Sequence, residues 1–184
     1  MTSEVTILTG PPGAGKTTVA ELLATDAEVP TVHLVTDMFY RSIRTGFVLP
    51  FLPAAQRQNE VVIEAIVGTV ATFARGGYDV VVDGILGPWF LRPFRALAGR
   101  EQPRVSYVVL RPDLTTTLAR ATTRAGHELK DTDAITGLHA AFAQLGNLEG
   151  HAIDTGALDV AQTAAAVRRA VASGEYRLRA DQAS

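Results

Sequence analysis

Residues 10–17 of this chain read Gly-Pro-Pro-Gly-Ala-Gly-Lys-Thr, which satisfies the pattern G-x-x-x-x-G-K-[ST] at every fixed position. Each residue type there has a physical reason. Gly13 and Gly15 permit backbone conformations that turn successive N–H groups inward, and their missing side chains let phosphate oxygens approach. A helix starting at this point adds the positive end of its dipole. Lys16 can bridge the β- and γ-phosphates of a nucleoside triphosphate, and the Thr17 hydroxyl can ligate magnesium. Gly10, Pro11, Pro12, Gly13, Ala14, Gly15, Lys16, Thr17 and Thr18 are therefore the candidate residues for holding ATP, with Thr17 a candidate metal ligand. From average residue usage, a chain of this length meets the bare pattern by chance roughly once in a few hundred cases. Only Lys16 and Lys130 are lysines among the 17 basic residues. A lysine kept in so arginine-biased a chain is stronger evidence of function than an arginine is.

Two carboxylates stand where the same chemistry needs them. Asp83 closes a short valine strand, the place for a ligand to magnesium or its water; as half of an Asp-Gly pair it would also suit a plain turn. Asp37 follows another strand run. Ligands of open α/β sheets lie beyond the carboxyl ends of strands, so Asp37 and Asp83 should flank one crevice. There Asp37 could accept the proton of an attacking hydroxyl, or it could simply cap the turn that follows. Arg120 and Arg124 are four apart and share a helix face. Of the 12 aromatic residues, Phe39, Tyr40, Phe47, Phe51, Trp89, Phe90 and Phe94 fall in two segments after the second and third strands. Phe39, Tyr40, Arg41, Asp83 and Trp89, with Asp37, are the candidate contacts to an acceptor molecule.

The elements that must position these residues alternate. Residues 5–9, 31–35, 80–82, 105–110 and 152–154 read as strands; 17–25, 54–75, 89–97, 113–123, 133–145 and 159–172 read as helices. Residues 38–53 read as irregular and 122–132 as a polar loop. Apolar strands without two-residue alternation imply a parallel sheet covered on both faces. The expected fold is a three-layer α/β/α domain over residues 1–174, with a loosely held tail over 175–184.

In this order the segments GPPGAGKT, the strand ending at Asp37, VVVDGILGP, VVLRPDLTTTLARATTR and AIDT resemble the small P-loop kinases. That group includes shikimate and gluconate kinases, chloramphenicol phosphotransferase and tunicamycin-resistance-type ATP-binding proteins. The resemblance implies a five-stranded parallel sheet in the order 2-3-1-4-5 and a helical lid at about residues 120–135. It further implies Asp37 as catalytic base, Arg120 and Arg124 as lid arginines that neutralise the transferred phosphoryl group, and main-chain contacts to adenine at 154–157. His127 is a lesser lid candidate, and Arg111 could stack on the base. Shikimate kinases carry an Asp-x-Asp pair after the second strand; here Met38 and Phe39 follow Asp37, which argues against shikimate as acceptor.

The bulk composition narrows the classes. With 184 residues, 47% of them hydrophobic, the chain suits one domain. A net charge of -2 gives no global field to recruit nucleic acid, and zero cysteines exclude disulfides and thiolate metal sites. No secretory leader is read, and no apolar run nears the ~20 residues of a membrane-spanning helix, so a cytoplasmic protein is expected. The reading is an ATP- and magnesium-dependent kinase acting on a hydroxyl of a small molecule, in which an aromatic or amphipathic acceptor (a metabolite or an antibiotic) fits the aromatic segments. A nucleoside or nucleoside monophosphate kinase is the first alternative, drawing on Arg41, Arg44 and Arg57. A nucleotide-binding switch is the second, although no Asn-Lys-x-Asp motif is present. A nucleic-acid 5′-hydroxyl kinase is disfavoured by charge, and oligomeric state is not legible.

Overall fold

The computed structural model describes residues 2–100, 103–123 and 131–180. Strands β1 (Glu4–Thr9), β2 (Thr31–Val35), β3 (Asp79–Asp83), β4 (Arg104–Leu110) and β5 (Ala152–Ile153) form one sheet in the order β2-β3-β1-β4-β5. All four pairings are parallel, as the resemblance implies. Side chains alternate between two apolar layers. Val5 and Ile7, Val80 and Val82, and Val105, Tyr107 and Val109 enter one core, whereas Leu8, Val81, Val108 and Leu110 enter the other. A strand buried on both faces has no polar alternation, which is why these runs read as continuously apolar.

On the first face lie α3 (Gln56–Arg75), α4 (Arg92–Arg100) and α6 (Thr132–Phe142), contributing Ile66, Phe94 and Phe142 among others. The second face is covered by α1 (Lys16–Thr25) and α7 (Val160–Ser173), through Val19, Ala20, Ala164 and Val167. Helix α5 (Leu114–Thr123) follows β4, and its first turn is capped by Asp113, whose Oδ1 accepts the Thr116 N–H at 2.8 Å. A reciprocal capping box of Asp159 and Gln162 starts α7.

Several boundaries differ from the sequence expectation. Helix α2 (Thr36–Arg41) begins directly after β2, so Asp37 lies in a first helical turn, not at a strand end or in irregular chain. A carboxylate at a helix start is favoured by the dipole. The helix expected over 89–97 divides into a 3-10 turn, Pro88–Phe90, and α4. Pro93 explains the division: a continuous helix would require its missing N–H to reach the Trp89 carbonyl, whereas in the first turn of α4 it is tolerated. Helix α6 stops at Phe142, short of the expected 145, and Gly146 at φ 60 opens another 3-10 turn, Gly146–His151.

The tail expected to hang loosely from Glu175 is pinned through Leu178. Because β5 pairs only with Val109 and Leu110, the first half of β4 would be an open edge. The tail covers it in antiparallel sense: Tyr107 N–H donates to the Tyr176 carbonyl and Leu178 N–H to the Val105 carbonyl, both at 2.8 Å. Unpaired edge groups and the apolar Leu178, 6% exposed, account for the attachment.

Candidate functional site

The loop over residues 10–15 bends through three glycines at positive φ: Gly10 at 145°, Gly13 at 84° and Gly15 at 85°. Two of them are also sterically required. A Cβ on Gly10 would lie 2.1 Å from the Leu110 carbonyl oxygen, and one on Gly13 would lie 2.5 Å from that of Thr117. The loop thus lies flat against the end of β4 and the middle of α5. At Gly15 a Cβ would meet nothing within 4 Å, so that side of the loop faces open space. Gly15 is also the N-cap of α1, which has no side-chain cap and no acidic residue in its first turn. Its leading N–H groups therefore have no capping side chain, the condition for anion binding at a helix start. Lys16 is 8% exposed and folds over the loop, its ammonium donating to the Pro11 carbonyl at 2.9 Å. Thr17 and Thr18 are exposed on α1.

Asp83 is fixed beside this loop. Its strand pairs Leu8 with Asp83, and the next residue, Gly84, donates its N–H to the Leu8 carbonyl at 3.3 Å. Farther along, Leu86 N–H donates to Thr9 Oγ1 at 2.8 Å, and the Tyr107 hydroxyl donates to the Leu86 carbonyl at 2.9 Å. Burial pushes the Tyr107 phenol above its ordinary range, so it stays a donor. Asp83 is 2% exposed, and its Oδ2 lies 3.3 Å from Nε2 of His33 on β2. His33, Thr9 and Tyr107 escaped the sequence reading. The available signal was a polar residue within an otherwise apolar strand, as at His33.

Gly84 also seats the start of α2. A Cβ there would come within 1.8 Å of Thr36 Oγ1, and Thr36 is itself buried. Asp37 follows Thr36 and is exposed, and Arg41 shares its helix face. Tyr40 packs against the core; burial, with a smaller contribution from the Asp37 charge, pushes its phenol up to about 12. Phe39, Ser42 and Ile43 of α2 and Arg57, Gln58, Val61, Val62 and Ala65 of α3 line a cleft of about 430 Å³. Beyond it, Phe47, Leu49, Phe51 and Leu52 are each more than 40% exposed. Trp89 is 53% exposed, and its ring lies 6.1 Å from those of both Phe90 and Phe142. Phe94 is fully buried core, so the aromatic grouping expected at an acceptor mouth loses that member.

Arg120 is half-buried on α5, on the helix face of Thr117, whose carbonyl abuts Gly13. Arg124 and His127 lie outside the described residues. Arg111 is engaged elsewhere: its guanidinium donates to Glu149 Oε1 at 2.5 Å and to the Phe142 carbonyl at 3.2 Å. That hydrogen bond holds the Glu149 carboxyl below its usual range. Arg41 and Arg44 are exposed, and Arg57 pairs loosely with Glu60 at 3.6 Å.

Residues 5–145 match the AAA domain family, more than three quarters of the chain, including the phosphate loop, Asp37, Asp83 and Arg120. The chain belongs to that family. No curated protein sequence matches this AAA domain. Among solved structures it is similar to the tunicamycin resistance protein of Deinococcus radiodurans, at 17% identity and a TM-score of 0.67, covering 96% of this chain and 98% of that one. A gluconokinase from Sinorhizobium meliloti 1021 aligns at 20% identity and a TM-score of 0.60, covering 94% and 90%. A sugar kinase from Janibacter sp. HTCC2649 aligns at 19% identity and 0.61, covering 92% and 93%. At such identities the likeness concerns the fold, and this AAA domain has the P-loop kinase-like fold.

Proposed function

We propose that this AAA domain is an ATP-dependent phosphotransferase acting on a hydroxyl of a small, amphipathic or aromatic acceptor. The observation that carries the reading is the convergence at Gly84. Its amide is tied to the end of β1 ahead of the phosphate loop, its neighbour Asp83 lies beside that loop, and its α-carbon seats the helix turn bearing Asp37. One glycine thus links the phosphate loop, the candidate metal carboxylate and the candidate base.

In this reading the loop amides and the α1 N-terminus hold the β- and γ-phosphates, and Lys16 moves from the Pro11 carbonyl to bridge them. The donor set, a hydroxyl and a carboxylate, is the kind magnesium takes when substrate phosphates supply further oxygens. Thr17 and Asp83 would hold the ion, directly or through water, and magnesium when bound neutralises charge on the phosphates. Asp37 accepts the proton of the acceptor hydroxyl as that hydroxyl's oxygen bonds to the γ-phosphorus, while the bond from the γ-phosphorus to the β–γ bridging oxygen breaks and ADP leaves. Arg120 and Arg124 close over the transferred group in the lid and offset its charge.

The acceptor class is supported by the cleft between α2 and α3. Its 430 Å³ falls in the range of small-molecule sites, and its walls are mostly carbon. Phe39 lines it from α2, the helix that carries Asp37 on another face, and Ser42 and Ile43 line it from just past that helix. Phe47, Leu49, Phe51 and Leu52, and separately Trp89, add further exposed apolar side chains in the segments after β2 and β3. A nucleotide acceptor would want a converging arginine cluster; Arg57 alone of the three candidates lines this cleft and it pairs with Glu60, while Arg41 and Arg44 are exposed on α2 and after it. No described helix is long and apolar enough to cross a membrane, and we place the activity in the cytoplasm.

The test is a thermal-shift screen of hydroxyl metabolites, antibiotics, nucleosides and nucleoside monophosphates with ADP and magnesium present. Amphipathic or aromatic alcohols should raise Tm beyond ADP alone. Stabilisation by nucleosides or their monophosphates only would replace this acceptor class with the nucleotide one.

A further inference from the structure

We propose that His33 is a positioning residue for Asp83, holding one carboxylate oxygen so that the other is directed toward metal and phosphate. The inference rests on the reading of Asp83 as a magnesium ligand.

Strands β2 and β3 pair with Val35 opposite Asp83, so His33, two residues earlier, projects from the same face of the sheet. Its Nε2 reaches Asp83 Oδ2 at 3.3 Å, with side-chain exposures of 19% and 2%. A carboxylate only accepts hydrogen bonds, so the imidazole must carry its proton on Nε2 to make this contact. The direction of help is therefore fixed: His33 donates and Asp83 accepts.

The pair sits at the same end of the sheet as the phosphate loop, where Asp83's strand is bonded to β1. A buried carboxylate without a donor would be costly, and one with a single fixed donor has a defined rotamer. His33 is the one polar residue of β2 after Thr31 at its start. Outer-shell groups that orient a metal ligand typically influence metal affinity about 10- to 100-fold. A merely structural pair would instead influence stability and leave metal affinity alone.

The experiment titrates manganese, a spectroscopic substitute for magnesium, into the full chain saturated with ADP, with bound metal read by electron paramagnetic resonance. Wild type is compared with His33→Ala, His33→Gln and Asp83→Asn, and ADP affinity is measured separately in a chelator. His33→Ala should weaken manganese binding about 10-fold or more, with metal-free ADP affinity unchanged. His33→Gln, whose amide nitrogen stands near the position of Nε2, should restore most of it. If the alanine variant does not fold, His33→Asn, whose donor is shorter, takes its place with the same expected weakening. Manganese affinity within about twofold of wild type in these variants, with affinity lost in Asp83→Asn, overturns the positioning role and leaves the metal site standing. Wild-type affinity in Asp83→Asn as well overturns the reading of Asp83 itself.

Discussion

Gly13 concentrates the argument at the scale of single residues. Its φ of 84° is one that side chains with a Cβ rarely adopt, and its α-carbon lies against the Thr117 carbonyl of α5. Replacing it strains the loop and pushes α5 away together, so the amides lose their shared direction. Gly13→Ala should therefore lower ATP affinity by about tenfold or more, read by calorimetry, because each misdirected charge-assisted hydrogen bond removes about 1.5–3 kcal/mol. Unchanged affinity would remove the loop's claim to be a preformed cradle. Residues of this kind were legible from sequence because their type is dictated by backbone geometry and by the ligand, not by distant packing. His33 was not legible in the same way. Its partner is 50 positions away, and only the register of β2 on β3 brings the two together.

Helix α2 makes the case at the scale of elements. It has six residues and no side-chain cap, and it stands where it does because Thr36 is buried against Gly84. Local propensity alone does not hold so short a helix, which is why residues 38–53 read as irregular from sequence. Gly84→Ala forces a methyl group onto Thr36 Oγ1 and should displace the turn bearing Asp37. The expected outcome is a destabilisation of about 1–3 kcal/mol with a larger loss in kcat than in ATP affinity. Equal losses in both would place the damage in the phosphate loop instead. The capping box of α7 provides the contrast, since its side chains serve the helix start alone. Asp159→Ala should remove about 1 kcal/mol of stability, a Tm decrease of about 2–4 °C. Such long or well-capped helices as α3 and α7 were readable from spacing and caps. The 3-10 turns were not, because they exist where proline or glycine interrupts a helix and packing decides the remainder.

Across the whole molecule, the parallel sheet follows from strands that are apolar on both faces, and the strand order came from resemblance to a family whose fold this chain shares. What sequence did not convey was the closing strap, because Tyr176 and Leu178 find their partners only once β4 has an uncovered half-edge. The opposite end of the sheet carries a titration that can be tested. Burial raises the Glu4 carboxyl above its ordinary value, outweighing the hydrogen bond from Ser106 and the charge of Arg104. The native state thus binds this proton more readily than the unfolded chain does. The corresponding stability is complete below the unfolded pKa and is lost as pH rises through the native one. Relative to wild type, Glu4→Gln should gain stability as pH rises from about 4 to 7, measured as the difference in Tm. A difference that stays constant or shrinks over that interval would show that the Arg104 pairing dominates after all.

The central claim is phosphoryl transfer to a hydroxyl with Asp37 as base. It is tested most directly by supplying γ-labelled ATP and magnesium with a broad panel of hydroxyl metabolites and antibiotics, for wild type and Asp37→Asn in parallel. The account predicts label on at least one small acceptor, a decrease in turnover of about 10²- to 10⁴-fold in Asp37→Asn, and ATP affinity little changed. A wild-type protein that binds ATP yet labels no acceptor, or an Asp37→Asn variant that transfers label at the wild-type rate, would contradict it.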